Sequence, residues 1–251
     1  MAVVTGASAG IGRRLALDLA AGGAVVVAVA RRTDRLRSLA DEMRTSSPGA
    51  GYRECDLSEP DAFAELLGEI EATHGRIDVL LNIAGAGGVL RQEAPTAESL
   101  RTIMDVNFTA PFLGMLAVLP GMRSRRSGAI ANMSSDDGRA PGPGAADYAA
   151  SKAALSIATE SLAYEARVDG VFLHAVYPGW VPTEMGLRAV REGGLPMPPR
   201  PVRRTEAQVA AAVLARLYDR RFEINTAALP TVAPVLRAVA PRLYQRLRAS
   251  R

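Results

Sequence analysis

AVVTGASAGIG, residues 2–12, is the stretch on which the fold turns. Ala2–Thr5 reads as a short apolar strand running straight into TGASAGIG, with glycines at Gly6, Gly10 and Gly12. A helix is expected from Ile11 to Ala21, closed by Gly22–Gly23. Strand, glycine turn and helix in that order make a phosphate cradle. Glycines permit the tight turn and close backbone approach, and the helix N-terminus offers free N–H groups to anionic oxygens. Gly6, Ser8, Ala9, Gly10, Ile11 and Gly12 are therefore candidate cofactor contacts. The spacing is GxxxGxG rather than the GxGxxG of the commoner dinucleotide fingerprint, and its weight comes from its place after the first strand.

Outward from this unit the chain repeats strand and helix. Ala24–Ala30 is a continuous apolar run, as expected of a strand buried on both faces. It ends in Arg31–Arg32, where an acid would suit a ribose 2′-hydroxyl and an arginine suits a 2′-phosphate. The next acid, Asp34, better fits a helix start after Thr33. These residues favour NADPH/NADP+ over NADH/NAD+. Gly51–Cys55 gives a third strand followed by Asp56 and Leu57; Asp56 either meets the adenine amino group or caps the helix near Pro60. Ile77–Asn82 is a fourth strand, leading into small residues, Ile83–Gly88, that let the backbone approach a cofactor at Ala84 and Gly85. A helix after Pro95 carries Asn107 in its interior, where Asn is disfavoured unless it makes a buried contact. Gly128–Met133 ends in Ser134–Ser135, and Val171–Tyr177 ends in Pro178–Gly179. This alternation predicts an α/β fold, a single-domain Rossmann-type doubly wound parallel sheet of about seven strands flanked by helices. Ligands of such sheets lie outside the carboxyl ends of the strands, where all the residues just named converge.

The chemistry is expected at YAASK, Tyr148–Lys152. DYAASKAALSIATESLAYEA has helical periodicity without Gly or Pro, so Tyr148 and Lys152 stand one turn apart on one face. A neighbouring ammonium favours the phenolate; lowering a Tyr from about 10 towards 7 needs about 4 kcal/mol. Of the 30 Lys and Arg residues, Lys152 is the one lysine. A compact ammonium is not interchangeable with a guanidinium fork.

The chain of 251 residues is 48% hydrophobic with a net charge of +4, enough for one large core. One cysteine, Cys55, excludes an intramolecular disulfide and suits a reducing, cytoplasmic setting. His74 and His174 read as structural, so no metal site is expected. No secretory signal is read before the first strand, and no apolar run is expected to reach the length of a membrane span. The arginines are dispersed, which speaks against nucleic acid.

TGASAGIG, Asn82–Gly85 (NIAG), Asn107, Ser135 thirteen residues before Tyr148, YxxxK, and PGWVPT (Pro178–Thr183) together resemble the short-chain dehydrogenase/reductase family, from Ala2 to about Ile224. The resemblance implies an NADP(H)-dependent oxidoreductase acting on a small carbonyl or alcohol substrate. It implies Asn107, Ser135, Tyr148 and Lys152 as catalytic residues, with Asn107 positioning a water and Lys152 also holding the nicotinamide ribose. Arg31, Arg32, Asp56, Leu57, Asn82, Ala84, Gly85, Tyr148, Lys152, Pro178, Gly179, Val181 and Thr183 join the glycine turn as cofactor contacts. Ser134 stands as rival to Ser135. A homodimer or homotetramer is implied, and a catalytically silent dinucleotide-binding sensor or scaffold is the alternative reading.

Two regions depart from the fatty-acid synthesis reductases of that family. Residues 184–204 form a long Pro- and Gly-rich substrate loop in which Met185, Leu187, Val190, Leu195 and Met197 suggest an apolar substrate. After a catalytic domain of residues 1–230, residues 231–251 form an Arg-rich amphipathic tail with five arginines and no acid. Pro234 and Pro241 should bend or break it. The tail is expected to pack on its own domain, serve as a lid, make a dimer contact or touch an anionic membrane.

Overall fold

The structure, a computed structural model, describes residues 1–87, 96–192, 197–227 and 229–249. Gly88, Pro95 and Leu195 of the readings above lie outside the described residues. The strands are β1 (Ala2–Thr5), β2 (Val26–Ala30), β3 (Gly51–Glu54), β4 (Val79–Asn82), β5 (Gly128–Met133), β6 (Val171–Tyr177) and β7 (Glu223–Asn225). They form one seven-stranded sheet in the order β3-β2-β1-β4-β5-β6-β7, with every pair parallel. Around it lie α1 (Gly10–Ala21), α2 (Thr33–Arg44), α3 (Pro60–His74), α4 (Ala97–Met104), α5 (Ala110–Ser124), α6 (Asp136–Arg139) and α7 (Ala146–Ala166). The chain continues through α8 (Glu184–Arg191), α9 (Glu206–Leu214), α10 (Leu229–Val239) and α11 (Pro241–Ala249).

Successive strand residues alternate between two cores. Val4, Ala28, Leu81 and Ala131 pack with Leu15, Leu36 and Val209 of α1, α2 and α9. Val3, Val27, Leu80 and Ile130 pack with Phe63, Met115 and Leu155 of α3, α5 and α7. Burial on both faces is why these strands read as unbroken apolar runs. Local signals set the helix ends. Pro60 opens α3 and Gly75 closes it at φ 80°, and reciprocal capping boxes start α4 (Thr96 with Ser99) and α9 (Thr205 with Gln208).

α4, a five-residue π segment (Asp105–Thr109) and α5 run on as one helix, Ala97–Ser124. Its best window has a mean hydropathy of 1.5, and it is long enough to cross a bilayer. That corrects the expectation that no apolar run approaches a membrane span. Here those residues serve the protein core: Met115, Val118, Leu119 and Met122 are buried, and α5 packs on α3.

Candidate active site

The strand order reverses between β1 and β4, which opens a crevice at the carboxyl edge of the sheet. The glycine turn lies in it. Gly6 has φ 66°, and a Cβ there would stand 2.8 Å from the Cα and N of Ala84. A Cβ on Gly12 would meet the Gly6 carbonyl oxygen at 2.5 Å. Only glycine fits these contacts without displacing backbone. At the start of α1, Ala9 provides no side-chain cap and the first turn holds no acid. Its leading N–H groups are thus left to an anion, and the cradle fits a dinucleotide pyrophosphate. Thr5 ties β1 to the next loop, its Oγ1 accepting from Ile83 N at 3.0 Å and Ala84 N at 3.1 Å.

Arginines line the next stretch of the cleft. Arg31 pairs with Asp56 at 3.4 Å. Arg32 donates from Nε and Nη2 to Ser8 Oγ at 3.1 and 2.9 Å. Its Nη1 reaches Glu184 at 2.8 Å, and Arg35 Nη1 reaches the same carboxylate at 2.5 Å. Hydrogen bonds from Arg32 and then Arg35 hold the Glu184 carboxyl down at about 2. Beside them a cleft of about 440 Å³ is lined by Ser8, Ala9, Gly10, Arg13, Asp34 and Arg35, among others. A groove of larger volume, about 640 Å³, lies next to β7 and is lined by Arg204, Arg216 and Arg221, among others.

Several of the expected contacts also have structural roles. Asp56 accepts from Ser58 N at 3.0 Å, and the N-cap of α3 is Glu59, so Asp56 does not cap that helix. Leu57 and Val181 are buried in the two cores. The Asn82 amide donates to Asn132 Oδ1 at 2.8 Å and Asn132 donates to Thr159 Oγ1 at 2.8 Å, a ladder joining β4, β5 and α7. Pro178 accepts from Thr226 Oγ1 at 2.6 Å, Gly179 turns at φ 67°, and Thr183 caps α8 through Gly186 N at 3.2 Å. His174 Nδ1 lies 2.9 Å from the Arg221 carbonyl oxygen and its Nε2 lies 3.0 Å from that of Leu217.

At the other end of the crevice α7 places Tyr148 and Lys152 one turn apart. The two serines diverge there. Ser134 is 1% exposed and turned inward, its Oγ 2.6 Å from Ser156 Oγ and 3.2 Å from the Lys152 carbonyl. Ser135 has an extended backbone, accepts from Asp137 N at 3.2 Å, and stands near enough to the Tyr148 phenol to favour its ionised form. Lys152 is 2% exposed and donates to the Met133 carbonyl at 2.8 Å; burial pulls it down to about 8. Tyr148 keeps some exposed surface as a whole residue. Burial nevertheless pushes its phenol up to about 12, with Asp137 and Asp136 adding and Ser135 opposing. This differs from the expectation that Lys152 brings Tyr148 towards neutrality. The ammonium is engaged by Met133 and lies 5.9 Å from the ring centroid, so desolvation and two carboxylates win.

Asn107 is fully buried in the π segment. Its Oδ1 accepts from Ala86 N at 2.8 Å, and its Nδ2 donates to Ala86 O at 2.6 Å and Ser151 Oγ at 3.0 Å. The small residues after β4 make room for these side chains. A Cβ on Gly85 would lie 3.4 Å from Asn107 Oδ1 and 3.5 Å from Lys152 Nζ, and one on Gly87 would lie 2.9 Å from the Tyr148 ring.

Sequence reasoning missed Ser151, Arg35 and Glu184. Arg35 carried a signal, since it lies one turn beyond Arg31 at the start of α2. Glu184 carried none; its partners are 149 and 152 residues away. Two flanking segments also reach the site. Met185 Cε lies 3.7 Å from the Cβ position of Gly85. From the tail, Arg237 donates to Arg139 O at 2.9 Å and Tyr244 to Pro141 O at 2.7 Å. Arg139 in turn holds Asp136 at 2.7 Å, just beyond Ser135.

A family model described as short chain dehydrogenase matches residues 1–192. A short chain dehydrogenase of Pseudocercospora fijiensis is 41% identical over 187 residues, 74% of this chain; the match spans 60% of that relative's length, less than two thirds. A dehydrogenase/reductase SDR family member 7B of Bos taurus is 33% identical over 99% of this chain and 80% of its own. Among solved structures, a short-chain dehydrogenase from Sphingobium yanoikuyae in complex with NADPH superposes with a TM-score of 0.78. It is 29% identical over 99% of this chain and 94% of that one.

Proposed function

The chain belongs to the short-chain dehydrogenase/reductase family, and from that premise we propose that it is an NADP(H)-dependent oxidoreductase interconverting a ketone or aldehyde with an alcohol. One observation carries the reading: Ser135 stands beside the Tyr148 phenol, and Lys152 Nζ and Asn107 Oδ1 converge on the adjoining Gly85 loop. When bound, the nicotinamide supplies or accepts the hydride.

The residues of this chain handle the proton and the orientation. Ser135 donates a hydrogen bond to the carbonyl oxygen, and Tyr148 Oη delivers the proton to that oxygen. A phenol held near 12 is protonated at neutral pH, the form reduction requires. For oxidation Tyr148 must act as phenolate, and Lys152 is the cation within one helical turn that favours it. Asn107 fixes the Ala86 backbone and Ser151, and in this reading it also orients a water in the proton relay. The glycine turn holds the pyrophosphate, while Arg31 and Arg32 hold the 2′-phosphate. The NADPH of the Sphingobium structure supports that choice. Met185 beside Gly85 supports an apolar substrate. The single cysteine supports a cytoplasmic enzyme, and the exposed Ile157 and Tyr164 on α7 support a homodimer or homotetramer.

A panel of ketones, aldehydes and secondary alcohols, followed at the nicotinamide absorbance band with NADPH and NADH in parallel, tests the proposal. Turnover of apolar members with preference for NADPH is expected. A protein that binds NADPH yet turns over none of them would be the silent binder instead.

A further inference from the structure

Glu184 opens α8, in the segment expected to face the substrate, yet its carboxylate points to the far end of the cleft. Its two oxygens accept separately from Arg32 at 2.8 Å and Arg35 at 2.5 Å. Arg32 at the same time donates twice to Ser8 of the glycine turn. One guanidinium therefore joins the glycine turn, α2 and α8. The residue before Glu184 closes the same gap: Thr183 Cγ2 stands 3.0 Å from the Cβ position of Gly10. A carboxylate and a phosphate compete for the same planar N–H fork.

We infer that Glu184 is a cofactor-discriminating residue: besides Arg35 it engages Arg32, which a 2′-phosphate requires, and the phosphate must displace it. The inference rests on the reading that Arg32 belongs to the 2′-phosphate site. Two effects have the same sign. The N–H groups bonded to Glu184 are spent, and the carboxylate repels an incoming dianion. Arg32, Arg35 and Glu184 are 43%, 43% and 54% exposed, and exposed pairs hold weakly, so a phosphate can break these. A dinucleotide with a free 2′-hydroxyl has no charge with which to do so and leaves Glu184 where it is. Release of Glu184 also frees the first turn of α8. Trp180, the one tryptophan of the chain, reports on that turn, since its Nε1 lies 3.5 Å from the Cβ position of Gly186.

Adenosine 2′,5′-bisphosphate and adenosine 5′-monophosphate isolate the phosphate from the nicotinamide. Their affinities are measured by calorimetry on the full chain and on Glu184→Gln, Glu184→Ala and Arg32→Ala. Both Glu184 variants are expected to bind the bisphosphate roughly three- to tenfold more tightly, as for removal of a weak competing ion pair. Their monophosphate affinity should be unchanged, which also certifies the fold. In the wild type the bisphosphate, but not the monophosphate, should alter Trp180 emission. Arg32→Ala should erase the preference for the bisphosphate. If Arg32→Ala does so while neither Glu184 variant tightens binding, Glu184 does not discriminate and the phosphate reading stands. If the wild type has no such preference and Arg32→Ala changes nothing, the phosphate reading falls and the inference falls with it.

Discussion

Ser134 and Ser135 end the same strand, and their surroundings assign them different work. Ser135→Ala removes the donor beside the Tyr148 phenol and should lower kcat by about 10²–10³, as for loss of one oxyanion donor. Ser134→Ala breaks the inward contacts with Ser156 and Lys152 and should cost about 1 kcal/mol of stability instead. Steady-state kinetics beside thermal melts on both variants decide the matter, and the larger kinetic loss in Ser134→Ala would reverse the assignment. Lys152 offers a second test. Its pKa falls from 10.5 to about 8 through burial, so at neutral pH the fold carries a charged ammonium it disfavours by about 3 kcal/mol. Above about 8 the unfolded chain binds the proton more than the native one, so wild-type stability rises with pH between about 8 and 10.5. Lys152→Met lacks that rise, should melt higher at pH 7, and should lose activity. At this scale the sequence was legible where spacing acts, as for Tyr148 and Lys152. It was silent on what Tyr148 feels, because Asp136, Asp137 and Met133 reach it or Lys152 only through the tertiary fold.

Elements set where these groups stand. The turn at Gly6–Gly12 was readable because its glycines answer to local sterics. Gly12→Ala would push a methyl into the Gly6 carbonyl and should abolish NADPH binding while leaving a folded but less stable protein, by calorimetry and melts. The long apolar helix was readable too, but its π segment was not. Widening of one turn around Asn107 depends on the backbone of Ala86, which its side chain grips from both sides. Asn107→Ala should leave those buried groups unpaired and cost about 1–3 kcal/mol, measured by urea unfolding. Activity should fall with it, because the loop that packs on Tyr148 is no longer held. The short α6 was hidden for a different reason. It sits between the strand end and a Gly/Pro loop, and its Arg139 is fixed by Asp136 of the same helix and by Glu223 and Asn225 of the distant β7.

Across the whole molecule, the parallel order with its reversal between β1 and β4 brings the strand ends of half the chain into one crevice. That much followed from alternating apolar runs. The closure of the crevice did not, since it depends on α8 reaching back to α2 and on the tail reaching the loop after α6. The tail leaves Val232, Val235, Val239 and Leu243 exposed while Tyr244 is buried against its own domain. Truncation after Ala227, which spares β7 and the Thr226 contact to Pro178, should raise the substrate KM or alter oligomeric state more than it changes NADPH affinity. Kinetics and sizing of that variant would show whether the prop matters. The central claim is that Tyr148 moves the proton, and Tyr148→Phe tests it most directly. NADPH affinity and hydride transfer to a carbonyl accepted by the wild type are measured side by side. The account predicts NADPH binding within about twofold of wild type and turnover reduced by at least about 10²-fold, the usual loss of a general acid. Retention of a tenth or more of the activity, roughly 1.4 kcal/mol in the barrier, would contradict it.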